Sequence, residues 1–128
     1  MSITPLYAGL LAILFLVLSI RVIQMRTNVS LGDGGDPNLL RRIRGHANFA
    51  EYVPLILLMM AMLEYGGMRG WLLHVIGATL LVARVLHGIA LSFTTKWKFG
   101  RFYGTLLTFI VLLLSALLCI WQGLKTLV

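Results

Sequence analysis

The stretch RIRGHANFAEYVP, residues 42–54, heads an otherwise apolar run, and its spacing decides how the chain is read. Arg44, Asn48 and Glu51 fall at i, i+4 and i+7, so a cation, an amide and a carboxylate share one helix face inside a segment of membrane length. A charge at the centre of a membrane span costs roughly 3 kcal/mol, and side chains kept there usually recover it through pairing or ligand contact. That face is the default candidate site.

The composition agrees with a membrane location. Of 128 residues, 59% are hydrophobic and only 12% are charged, and the mean hydropathy of +0.94 is far from that of a soluble domain. Four apolar stretches, at about 3–23, 43–64, 70–92 and 103–124, approach the roughly 20 residues needed to cross a bilayer. They predict an all-α integral membrane four-helix bundle occupying residues 1–128 as one domain, its short connections giving up-down order. The first run begins too close to Met1 to leave a basic leader and is longer than a signal-peptide core of about 7 to 15 residues, so it is expected to stay in place. Residues 27–38 contain GDGGDP and read as a loop. Asp33 and Asp36 in that loop lack EF-hand spacing, and a solvated turn is the better reading. The single Cys119 excludes an intramolecular disulfide and a Cys-based metal centre, and no metal is expected.

Charge distribution predicts the orientation. Arg21, Arg26, Arg41, Arg42 and Arg44 surround the first loop, and Lys96, Lys98 and Arg101 the third, whereas the opposite side carries only Arg69 and Lys125. This asymmetry puts the first and third loops in the cytoplasm and both termini outside it. Topology therefore accounts for the net charge of +7, with no call for a nucleic-acid partner. Tyr7, Tyr65, Trp71 and Trp121 then form the outer aromatic belt, with Trp97 and Tyr103 at the inner one.

Residues 1–20 and 102–124 contain no charge, while the two central spans hold Glu51, His74, Arg84 and His87. The central pair is therefore expected to line the site, with Arg84 deep enough on the third helix to reach Glu51 in an ion pair. Pro54 lacks an N–H for the Ala50 carbonyl, which predicts a bend beside Glu51. Gly77, Arg84 and Gly88 share an arc of the third helix where a neighbouring backbone can approach closely. Gly100 and Gly104 make a further GxxxG, which carries little weight among thirteen glycines. His74, near the outer helix end, reads as a packing residue. His46 lies about 200° round the helix from Arg44, where a subunit contact and a substrate contact are equally open.

RIRGHANFAEYVP resembles the signature of the MAPEG family, small four-helix membrane proteins of eicosanoid and glutathione metabolism, in its bacterial form. The resemblance extends to Arg26 at the end of the first helix, to Arg44, His46, Asn48, Glu51, Tyr52 and Pro54 on the second, and to Arg84 and His87 on the third. It implies a homotrimer with sites between subunits near the cytoplasmic face, binding glutathione as co-substrate through Arg26, Arg44, His46, Asn48, Glu51, Tyr52, Arg84 and His87. The residue types suit that ligand. Arginines pair with its two carboxylates, Glu51 with its ammonium and Asn48 with its peptide groups. By the same resemblance Arg101 is the catalytic residue, lowering the thiol pKa by favouring the thiolate, with Lys98 competing for that role. The implied function is that of an inner-membrane transferase or peroxidase acting on lipophilic electrophiles delivered from the lipid. The chain has Leu91 where many eicosanoid-forming members carry a Tyr.

Two other classes stay open. A proton-coupled exporter would also use an intramembrane Glu51, though it would not need Arg44, Asn48 and Arg84 gathered round it. A non-catalytic scaffold could keep the fold without the chemistry.

Overall fold

A computed structural model describes residues 1–128 as four helices without strands: α1 (Ile3–Met25), α2 (Pro37–Tyr65), α3 (Gly70–Gly88) and α4 (Lys98–Leu127). All four are long and apolar enough to cross a membrane. The all-α four-span architecture is as expected, but three boundaries move, α4 beginning at Lys98 rather than near residue 103. Asp36 accepts a hydrogen bond from the Asn38 N–H at 2.9 Å with Pro37 in the first turn, so α2 starts about two turns before its apolar run. At the end of the bundle away from both termini α3 widens into a π-helical turn, Ile89–Phe93, before the short link to α4.

α2 and α3 occupy the middle of the bundle, with α1 and α4 on opposite flanks. Fifty-six per cent of the α3 span is buried against 22% for α1 and for α4, which is why ionisable groups are tolerated on the inner pair and absent from the outer two. Leu11, Leu18, Ile56, Met60, Leu63, Leu73, Ile76 and Leu80 are almost fully enclosed between the helices. Small residues set how closely the helices pack. A Cβ on Gly77 would run into the Tyr7 ring of α1, and one on Gly104 would lie 2.8 Å from the Ala83 carbonyl oxygen and the His87 nitrogen of α3. The Gly100/Gly104 pair, discounted from sequence, is thus the tightest point of the α3–α4 seam, where only backbone without a side chain fits.

Helix ends are closed by residues from other helices. At the end with the π-turn three arginines, Arg21, Arg41 and Arg42, donate to carbonyls: Arg42 to Arg21 at 2.7 Å, Arg21 to Ser92 at 2.7 Å, and Arg41 to Ala90 at 2.9 Å. They tie the last turns of α1 to α2 and supply donors to carbonyls around the π-turn. At the far end the Glu64 carboxylate accepts from the N–H groups of Ser2, Ile3 and Thr4 at 3.0, 2.8 and 2.8 Å. The last turn of α2 therefore caps the first turn of α1, placing an anion where the helix dipole favours one. Glu64→Ala is expected to fray that turn, seen as faster amide exchange at residues 2–4 and a lower unfolding midpoint in mixed micelles. Unchanged exchange there would remove Glu64 from the cap.

Candidate functional site

Arg84 is the largest fully enclosed side chain in the molecule, 1% exposed. It points from α3 into the space between α2 and α4. One terminal nitrogen donates to Asn48 Oδ1 of α2 at 2.8 Å and lies 3.5 Å from Thr108 Oγ1 of α4, while the other donates to His87 Nδ1 at 3.4 Å. Its plane lies 5.5 Å from the centre of the Phe49 ring, within cation–π reach. Nε has no acceptor within the chain. Next to this cluster the rings of Tyr52 and Phe109 meet at 5.5 Å, closing α2 onto α4.

The ion pair expected between Arg84 and Glu51 does not form within the chain. Glu51 lies about 60° round α2 from Asn48, and that rotation carries its carboxylate out of the bundle while the Asn48 amide stays in. Glu51 instead meets Arg44 at 3.5 Å, two turns away on the same edge, and the two side chains are 53% and 54% exposed. This is the only ion pair in the chain. It faces outward on a helix whose outer surface is otherwise apolar, about 10 Å beyond Arg44 towards the membrane centre at its Glu51 end.

The remaining candidates divide into two groups. His87 is buried and joined to Arg84, and Tyr52 is half-buried against α4. Arg101 is exposed at the start of α4, on the same stripe as Gly104 and Thr108, and lines a groove of about 350 Å³ with Arg41, Trp97 and Lys98. The structure does not bring His46 or Arg26 to Arg84. His46 bonds to Ser19 Oγ at 3.0 Å and stacks on Phe15 of α1 with centroids 4.5 Å apart, and Arg26 donates to the Gly32 carbonyl at 2.7 Å, closing the first loop. Asp33 and Asp36 serve as turn and cap acceptors, for Gly35 at 2.8 Å and for Asn38, in line with a solvated turn. His74 accepts or donates at 2.8 Å to the Tyr7 hydroxyl, as a packing residue would. Leu91 is buried where its Cβ would meet any side chain added at Gly45, so it packs the π-helical turn against α2.

Sequence reasoning missed Thr108 and Phe49 and gave Gly104 too little weight. The signal for two of them was present: Gly100, Gly104, Thr108, Val111 and Ser115 repeat every three or four residues and are the buried stripe of α4.

Residues 4–121 match the model of the MAPEG family. The chain is 34% identical over 122 residues to the inner membrane protein YecN of Escherichia coli K12, covering 93% of this chain and 91% of that one. The same figures hold for YecN of Escherichia coli O6:H1 strain CFT073. No solved structure matches. With the family model spanning nearly the whole chain and four membrane-length helices carrying its polar residues, this multi-pass membrane protein belongs to the MAPEG family.

Proposed function

We propose that the chain is a glutathione-binding transferase or peroxidase of the inner membrane, working as a homotrimer with both termini outside the cytoplasm. The observation that carries this reading is the pairing of a dry, amide-held Arg84 with an Arg44–Glu51 ion pair turned outward at similar depth. An ion pair facing hydrocarbon is costly, and a second subunit or a zwitterionic ligand lying over it removes that cost. Glutathione, with two carboxylates, one ammonium and two peptide groups, matches two guanidiniums, one carboxylate and an amide. The inner-membrane location draws on the name of the YecN relative, and the orientation on the eight cations that flank the first and third loops.

In this mechanism Arg101 stabilises the thiolate. A fall of two pKa units is about 2.7 kcal/mol of differential stabilisation and makes the thiolate the main species at neutral pH. The sulfur then attacks an electrophilic carbon, a C–S bond forms, and the leaving group departs with its electron pair. With a peroxide, two glutathiones are oxidised to the disulfide while the peroxide is reduced to alcohol and water. The groove holding Arg101 has Trp97 on its wall and opens at the membrane boundary, a reasonable entry for amphipathic electrophiles.

The test is equilibrium binding of glutathione to the detergent-purified protein, with the bound thiolate titrated by its ultraviolet absorbance. Saturable binding is expected, with a thiol pKa depressed in the parent and in Lys98→Gln but returned towards its free value in Arg101→Gln. A folded parent that binds no glutathione sinks the proposal and favours a scaffold or an exporter.

A further inference from the structure

At the end of the bundle that carries both termini, the α2–α3 turn and the last turns of α4 enclose a groove of about 680 Å³. Its walls are Met68, Leu72 and Leu118, and its rim carries Arg69, Trp121 and Lys125. Arg69 and Lys125 are the only Lys or Arg side chains at that end of the chain, and both converge on this one groove. Their charges are not cancelled from within. Neither side chain takes part in the chain's one ion pair, which is Arg44–Glu51, and the Lys125 ammonium rests 5.0 Å from the centre of the Trp121 ring. The acidic side chain at that end, Glu64, is directed at the three N–H groups of α1 and pairs with neither cation.

The opposite end provides the contrast. There Arg21, Arg26, Arg41 and Arg42 all donate to backbone carbonyls, so those four are accounted for by the fold, and Lys98 and Arg101 line the groove already assigned to the thiol. Arg69 and Lys125 hold no element together. An apolar floor, two free cations and a Trp at headgroup level complement an amphiphile with an anionic head. A free anion would gain nothing from Leu72 and Leu118, and a neutral lipid nothing from the cations.

We infer that this groove holds an anionic glycerophospholipid, its phosphate between Arg69 and Lys125 and the first carbons of its acyl chains along Leu72 and Leu118. The site lies at the other end of the helices from Arg84 and is independent of the thiol reading.

Native mass spectrometry and thermal unfolding of the full-length protein in detergent test this, with phosphatidylglycerol, phosphatidylcholine and inorganic phosphate as separate additions. Phosphatidylglycerol is expected to remain as a bound adduct and to raise the unfolding midpoint, while phosphatidylcholine and phosphate do neither. Arg69→Gln/Lys125→Gln should weaken phosphatidylglycerol binding roughly thirtyfold, and Lys96→Gln at the opposite end should leave it unchanged. Both substituted side chains are exposed, and Trp121→Leu provides a second variant that removes the ring without touching a charge and is expected to weaken retention less. Equal retention by the parent and the double variant would overturn the inference. So would equal stabilisation by inorganic phosphate, which would make the groove a simple anion site, or by phosphatidylcholine, which would make it a non-selective lipid contact.

Discussion

Arg84→Met is expected to weaken glutathione binding at least about 100-fold while leaving the bundle as stable as the parent or more so. The two effects separate because a buried guanidinium works against folding and for binding. Enclosing the charge costs several kcal/mol of hydration, and an apolar residue of similar length in its place is often neutral or stabilising. Two of the partners left behind lose little, because Thr108 Oγ1 already donates to the Gly104 carbonyl at 2.7 Å and Asn48 is only half-buried; the buried His87 ring loses its partner, which offsets part of the gain. A ligand carboxylate drawn to this positive site, by contrast, loses the charge that attracts it through a medium of low dielectric and that fixes the Asn48 amide, worth about 2 to 5 kcal/mol when one partner is truncated. Calorimetric titration with glutathione beside a thermal melt reads both quantities. A variant that binds like the parent would remove Arg84 from the site, and one that unfolds would make it a structural strut. Glu51→Gln gives the complementary reading, because its carboxylate is exposed and its loss cannot disturb the core. Glutathione affinity should fall with it; a scaffold would be indifferent.

Gly104→Ala is expected to destabilise the bundle by about 3 kcal/mol, the upper range for forcing an extra methyl into a packed interior. The added carbon would sit 2.8 Å from two backbone atoms of α3, the Ala83 oxygen and the His87 nitrogen. Neither can swing aside as a side chain would, so α3 and α4 must separate and lose contact along the seam. Because Thr108 and Arg84 lie one turn further along it, glutathione binding should weaken with stability. Gly9→Ala is the control. It meets nothing within 4 Å and should be neutral or slightly stabilising through helix propensity. Unfolding midpoints in mixed micelles compare the two, and equal midpoints would show that α3 and α4 are not held by close backbone approach.

The number of helices, their rough limits and the confinement of charge to the middle two were legible in the sequence, because hydrocarbon imposes them residue by residue. Backbone groups must be satisfied within each span, so long apolar runs become helices, and a charge is too costly to be scattered along them. Arg44, Asn48, Glu51 and Arg84 could therefore be picked out without coordinates. Which of them would meet was not legible. Asn48 and Glu51 differ by about 60° of helix rotation, and only the packing of α3 and α4 against α2 decides that the amide turns in to Arg84 and the carboxylate turns out to Arg44. His46 likewise took its partners, Ser19 and Phe15, from α1. The caps made by Glu64, Arg21 and Arg41 join residues roughly 50 to 70 positions apart, so no local pattern announces them. Composition and periodicity act along the chain, whereas partner choice depends on the rotation and closeness of helices, and here glycines as unassuming as Gly77 and Gly104 set both.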